Sequence, residues 1–221
     1  MRIVTYRPAR KIRKSGRKVV GKFPSSKMGR MITWESPVER DYLYLVEFDV
    51  DVISFWEQPL IVRYYDDTDH KIHRYTPDIL VIRKGNRKQV VEVKDEKTAQ
   101  SEEYQRLFQR VGPILQREGY EFIVATDRMI RIQPLLRNLK LLQKYAKVRI
   151  SNNHLICLNN LFACRKEIPL GEVMTLLGSK RISKQEVFAL LRHGILSVNL
   201  RHEINGDSAV SFAINSTDER R

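Results

Sequence analysis

Residues 76–94 read TPDILVIRKGNRKQVVEVK, and this stretch decides the fold. Ile79 to Arg83 has the apolar, β-branched character of a strand, and Gln89 to Lys94 has it again. Lys84 to Lys88 form the turn between them, with Gly85 and Asn86 at the positions of positive φ that such a turn needs. Side chains alternate along a strand, so Val91 and Val93 point one way while Glu92 and Lys94 point together to the other face. Asp78 stands at the mouth of the partner strand. Two carboxylates and an ammonium are therefore expected in one small volume, where hard oxygen ligands suit Mg²⁺, or Mn²⁺ in its place.

Upstream, Ser36-Pro37 opens a helix. Serine is a good N-cap and proline suits the first helical position. Val38, Tyr42, Leu45 and Val46 recur at helical spacing, and the helix is expected to end near Glu47-Phe48. Glu39 falls at the third helical position. Periodicity favours it as the second half of a capping box, reaching back to the Ser36 backbone N–H. It also borders the apolar stripe, where it is placed to deliver a third carboxylate to Asp78 and Glu92. Between helix and hairpin, VISFWEQPLIVRY (52–64) reads as a strand, a break at Gln58-Pro59 and a second strand. Asp66 to His70 is a polar turn and Lys71 to Tyr75 returns from it. His70 and His73 share no pattern with a further ligand and read as surface hairpin residues.

Downstream of Lys94, Tyr104, Leu107, Phe108, Val111 and Leu115 fit a 3.6-residue period, with an interruption or kink expected at Gly112-Pro113 and a C-cap at Gly119. YEFIVA (120–125) is a buried strand. Helix, strands, helix, strand make an α/β domain. From Pro134 the texture changes: helices over Leu135 to Tyr145, Leu155 to Cys164, Gly171 to Leu177 and Lys184 to His193, then two strands around Asn205-Gly206. Short helix, turn, helix and hairpin form a winged-helix pattern. The resulting organisation is a basic N-terminal arm (1–20), an α/β domain (21–132) and a winged-helix-like α+β domain (133–221).

The net charge of +14 is uneven. Residues 1–34 carry 11 Lys and Arg and no acid, whereas residues 35–99 hold 14 acids against 10 bases. Residues 1–30 read as an extended arm, with PSSKMGR (24–30) as loop. Arg10, Lys11, Arg13, Lys14, Arg17 and Lys18 are its candidate nucleic-acid contacts. A basic arm beside an acidic pocket suits a polyanion processed with metal ions; a solvated tail is the bland alternative. No apolar run approaches the ~20 residues of a membrane helix, and the N-terminus is too polar for a signal peptide. Cys157 and Cys164 lack metal-site spacing and read as reduced core thiols of a cytoplasmic protein.

Phosphodiester hydrolysis needs a metal to neutralise the phosphate, an activated water and a group that stabilises developing negative charge. Asp78, Glu92 and Glu39 offer the ligands, and Lys94 is placed to orient or help deprotonate the water and to stabilise that charge. The competing reading is an ion pair on a solvated sheet face. A decayed nuclease serving as a DNA-binding or assembly adaptor, and a stand-alone restriction or repair nuclease, are further alternatives.

SPVERDYLYLVEFDVDVISFWEQP (36–59), YTPDILV (75–81) and VVEVK (90–94) resemble the TnsA-type endonucleases of heteromeric bacterial transposons. The likeness extends to SSKMGR (25–30), FIVATD (122–127) and the C-terminal module. The resemblance implies a restriction-endonuclease-like mixed sheet flanked by helices. It puts Glu39, Asp78 and Lys94 on the family's catalytic positions, and Glu92 where some members carry Gln. It further implies cutting of DNA at the 5′ ends of a transposon while a separate DDE transposase cuts the 3′ ends. The C-terminal module would contact an AAA+ ATPase regulator, with target choice left to these partners.

Overall fold

The computed structural model describes residues 19–212 and divides into two compact units that meet between Ile132 and Gln133. The first is built on a four-stranded mixed sheet of β3 (Val52–Glu57), β6 (Ile79–Arg83), β7 (Arg87–Lys94) and β8 (Glu121–Thr126), in the order β3-β6-β7-β8. β6 and β7 are the expected hairpin, antiparallel with Ile79 opposite Val91 and Arg83 opposite Arg87. Their turn is three residues long, Lys84–Asn86, with Gly85 at φ 72 and Asn86 at φ 57. β8 joins β7 in parallel, with Glu92 opposite Val124. That parallel step requires a crossover, which α2 (Glu96–Ala99) and α3 (Glu102–Arg117) supply.

Strand alternation sends the sheet's side chains to two cores. Ile79, Val81, Val91 and Val93 pack on one face with Tyr42, Leu43 and Val46 of α1 (Pro37–Phe48). Leu80 and Val90 pack on the other with Val111 and Leu115 of α3. The sheet is thus covered by a helix on each face. α3 runs unbroken through Pro113, against the expected interruption. α3 ends in the anticipated way: Gly119 takes φ 77, and Tyr120 N–H returns to the Leu115 carbonyl.

Residues 21–34 correct the reading of an arm up to residue 30. β1 (Gly21–Ser25) and β2 (Arg30–Trp34) form an antiparallel hairpin, with Phe23, Ile32 and Trp34 buried in the α1-side core. The SSKMGR turn is fixed by two groups whose roles their spacing hides. The buried Glu47 carboxylate accepts from Ser25 Oγ at 2.6 Å and from the Ser26 and Lys27 backbone N–H groups. Lys27 Nζ in turn donates to the Val46 and Asp49 carbonyls at the end of α1, at 3.0 and 2.5 Å, and to the Val52 carbonyl of β3 at 2.7 Å. Residues 1–18, and with them Arg10, Lys11, Arg13, Lys14, Arg17 and Lys18, lie outside the described residues.

β4 (Val62–Asp66) and β5 (Lys71–Tyr75) make a separate two-stranded hairpin. A short helix, α4 (Asp127–Ile130), follows β8. After it Arg131 pairs with the buried Asp41 of α1 at 2.9 Å.

The second unit contains α5 (Leu135–Gln143), α6 (Asn152–Phe162), β9 (Glu167–Pro169), α7 (Leu170–Gly178), α8 (Lys184–Arg192), β10 (Leu196–Val198) and β11 (Ala209–Phe212). Its sheet is antiparallel in the order β10-β11-β9. α8 opens with a capping box between Ser183 and Glu186 and closes at Gly194, which adopts φ 68. β9 was invisible in the sequence because three residues carry no periodicity. The cysteines are not core thiols: Cys157 is half-buried, Cys164 is exposed, and both are free.

Candidate active site

The last residue before β6 and the last three of β7 converge at one end of the sheet. Asp78 is held rigidly from both sides. Its carbonyl accepts the Gln58 N–H at 2.8 Å, and its Oδ2 accepts the Val93 N–H at 2.8 Å. Lys94 Nζ lies 3.4 Å from the same Oδ2 and 2.8 Å from Glu92 Oε1. Glu92 is buried, at 3% exposure, and its second oxygen accepts from the Tyr75 hydroxyl at 2.5 Å. Asp78 Oδ1 has no protein partner among the described residues.

α1 brings Glu39 to the same place. Ser36 caps the helix, its Oγ accepting from Glu39 N–H at 3.1 Å. The reciprocal half of the expected capping box is different: Glu39 Oε2 accepts from the Glu35 N–H at 2.8 Å, one residue before the cap. The carboxylate therefore leans off the helix end. It lines an open cleft of about 800 Å³ shared with Glu35, Tyr75, Asp78, Glu92 and Lys94. All four residues singled out in the sequence, Glu39, Asp78, Glu92 and Lys94, border this one cleft.

The electrostatics are those of a surplus of negative charge. Five carboxylates line the cleft (Glu35, Glu39, Asp78, Glu92, Asp95) against two cations, Arg74 and Lys94. Burial, reinforced by the Asp78 charge, pushes the Glu39 and Glu92 carboxyls each up to about 7. Burial also raises Asp78, although Lys94 and the Val93 N–H oppose it. Burial draws Lys94 down, but Asp78 and Glu92 outweigh it and hold the ammonium above its usual range. Lys94 is thus a fixed positive charge, and it also lies 5.6 Å from the centre of the Tyr104 ring. One ammonium leaves the carboxylates under-compensated. Asp78, Glu92 and Glu39 line the cleft as hard-oxygen donors of the type a small divalent cation takes, although among the described residues their oxygens do not all lie within 4.8 Å of one another.

Sequence reading missed three contributors. Tyr75 fixes Glu92 from a strand far from it in the chain. Glu35 accepts from Gln58 Nε2 at 2.8 Å. Gln58 adopts φ 45 although it precedes a proline, and its buried Oε1 lacks a partner among the described residues. Strained non-glycine backbone of this kind clusters at functional sites. The Gln58-Pro59 break in the strand pattern was the only signal.

A second ligand-like group exists. Asp66, Asp69 and His73 come within 4.8 Å of one another at the β4–β5 tip, which corrects the expectation that His73 has no companion ligand. Its members are already paired: His73 with Asp69 at 2.8 Å and Asp66 with Arg110 at 2.6 Å.

The fold and cleft together define an α/β domain with a mixed sheet, carrying an acidic, lysine-bearing centre at the sheet's end. Residues 49–127 match the family described as TnsA-like endonuclease N terminal, and over that stretch the chain is similar to such an endonuclease domain. The match covers Asp78, Glu92 and Lys94, with Glu39 ten residues before it. It supports a nuclease acting in transposition, with DNA and transposition proteins as partners in general, and the mixed sheet flanked by helices fits a restriction-endonuclease-like fold. No curated protein matches the chain. Among the described residues no helix is long and apolar enough to cross a membrane.

Proposed function

We propose that the protein is a metal-dependent endodeoxyribonuclease that cuts the 5′ ends of a transposon, with Glu39, Asp78, Glu92 and Lys94 as its catalytic set. The observation that carries this reading is the convergence of those four side chains in one cleft of a TnsA-like endonuclease domain. Glu39, Asp78 and Glu92 would hold Mg²⁺, with Mn²⁺ able to replace it. Bound there, the cation neutralises phosphate charge and lowers the pKa of water.

The chain's own groups do the positioning. The Val93 N–H and Lys94 fix one oxygen of Asp78 and leave Oδ1 for a ligand. The Tyr75 hydroxyl and Lys94 fix the two oxygens of Glu92. Lys94, kept protonated by its neighbours, orients the attacking water and stabilises charge developing on the phosphate, and is not itself the base. The side chains are preorganised, so little reorganisation remains for the chemical step.

The second unit is read as a winged-helix module. Helix, strand, helix, helix, strand, strand, with β11 between β9 and β10, supports that reading. In this account it contacts an AAA+ ATPase regulator, a separate DDE transposase makes the 3′ cuts, the basic arm holds DNA, and the assembly works in the bacterial cytoplasm.

The test is a nicking assay on a transposon-end duplex with Mg²⁺, with and without the transposase and ATPase. Wild type is expected to nick in the assembled system and Asp78→Ala to be silent while remaining folded and partner-bound. Wild-type-level nicking by Asp78→Ala overturns the assignment.

A further inference from the structure

The β4–β5 hairpin has two unlike faces. On one, Val62 lies opposite Tyr75, Tyr64 opposite His73 and Asp66 opposite Lys71. This face packs on the domain: Val62 and Tyr75 are buried in the α3-side core, and Arg110 of α3 pairs with Asp66. On the other face Arg63 lies opposite Arg74 and Tyr65 opposite Ile72. All four are exposed, Ile72 at 71% and Tyr65 at 52%.

The arginine pair has no structural account. Like charges directly opposite on neighbouring strands destabilise a hairpin. Neither Arg63 nor Arg74 has an ion-pair or hydrogen-bond partner among the described residues. Of the acids of this hairpin, Asp66 is engaged by Arg110 on the opposite face and Asp69 by His73. Arg74, moreover, lines the catalytic cleft, one residue from the Tyr75 that holds Glu92. Two guanidinium forks side by side at the rim of an acidic centre are complementary to successive groups of a phosphodiester backbone, which each fork can grip through two oxygens.

We propose that the Arg63–Arg74 face is a phosphate clamp that leads one DNA strand over the rim into the cleft, with Tyr65 and Ile72 lying against the sugars. The clamp also resolves an electrostatic difficulty of the site, since a polyanion must approach a cleft with surplus negative charge. The contact is with backbone and carries no base sequence. It rests on the nuclease reading above.

The experiment measures duplex affinity of the full chain by fluorescence anisotropy in Ca²⁺, with nicking in Mg²⁺ followed in parallel. The variants are wild type, Arg63→Gln/Arg74→Gln, and Arg87→Gln/Lys88→Gln. The last removes the same charge at the opposite end of β7, about 23 Å from Lys94 by strand rise. The clamp variant is expected to bind roughly tenfold more weakly, with the salt slope of log affinity reduced by about 1.8, as losing two phosphate contacts requires. The control pair is expected to stay within about twofold of wild type. Neither variant should melt below wild type, because the changed residues are exposed and replacing the facing arginines relieves a like-charge pair. Wild-type binding with an unchanged clamp variant overturns the clamp and leaves the nuclease reading intact. Unchanged DNA affinity with nicking lost only when partner proteins are present assigns the face to an acidic protein surface, and also overturns it. Wild type that binds no DNA and does not nick it even with the transposase and ATPase present overturns the nuclease reading itself.

Discussion

Two carboxylate groups in this molecule are built from similar residues and come out as opposites. At the β4–β5 tip, Asp66, Asp69 and His73 lie within 4.8 Å of each other, yet each acid already has its own partner, Asp66 in Arg110 and Asp69 in His73. Hydrogen bonds from Thr68 hold Asp66 below the usual carboxylate range. At the end of β6 and β7, Glu39, Asp78 and Glu92 share a single ammonium and are raised instead, chiefly by burial. The first group is finished as it stands. The second is short of positive charge, and the fold tolerates the deficit because Val93 N–H, Tyr75 and Lys94 hold the carboxylates in place. Ligand types at short range therefore do not by themselves leave charge for a cation, whereas carboxylates that share one ammonium in a fixed geometry do.

The comparison can be broken most forcefully at Asp78. Asp78→Ala should reduce nicking at least about 1,000-fold, as expected when a group central to transition-state charge stabilisation is lost. Asp69→Asn should leave the rate unchanged. Equal losses in both variants, read in the same assay, would erase the distinction between the groups.

Stability against pH gives the next effect. The Glu39 and Glu92 carboxyls titrate near 7 when folded, above the 4.5 they would have unfolded. The folded state thus holds protons that the unfolded chain has released, so the stability they contribute is full below about 4.5 and is lost as pH rises through about 7. In chelator, urea unfolding should show a loss of about 2 kcal/mol between roughly pH 5 and pH 8. Glu92→Gln should flatten that slope, and a divalent cation should restore stability more at the higher pH. A metal-free protein that grows more stable over this window contradicts the charge deficit.

Tyr75→Phe removes the hydroxyl that orients Glu92 while keeping the ring in the core. Metal half-saturation of nicking, and Mn²⁺ affinity measured without DNA, should each weaken by about tenfold, as is typical for loss of a group supporting a ligand. Should both values stay at wild type, Tyr75 is a core residue and no more. The smallest effect belongs to the exposed group: Asp69→Asn should change stability by no more than about 0.5 kcal/mol in a urea melt.

Much of this architecture was legible because it is local. Gly85 and Asn86 announce their turn, and Ser36-Pro37 announces its helix. Alternation alone separates Val91 and Val93 from Glu92 and Lys94. What stayed hidden depends on contacts across the fold. Nothing near Tyr75 marks it as the donor to Glu92, 17 residues away. The Glu47 carboxylate that turns a basic, loop-like SSKMGR segment into part of a folded hairpin reaches it from another element. Periodicity assigned Glu39 to its own cap, whereas the resemblance placed it at the centre. The structure brings it to the cleft by exchanging one backbone donor, Ser36, for its neighbour Glu35. Strand β9 escaped because its pairing with β11, Ile168 opposite Val210, is the only thing that makes it a strand.

The most direct test of the charge-deficit centre is a calorimetric titration of Mn²⁺ into the full chain near pH 8, with wild type, Asp78→Ala and Asp69→Asn compared after circular dichroism has shown all three folded. The account predicts a binding isotherm for wild type and Asp69→Asn and its loss in Asp78→Ala. Binding that survives in Asp78→Ala and disappears in Asp69→Asn would contradict it.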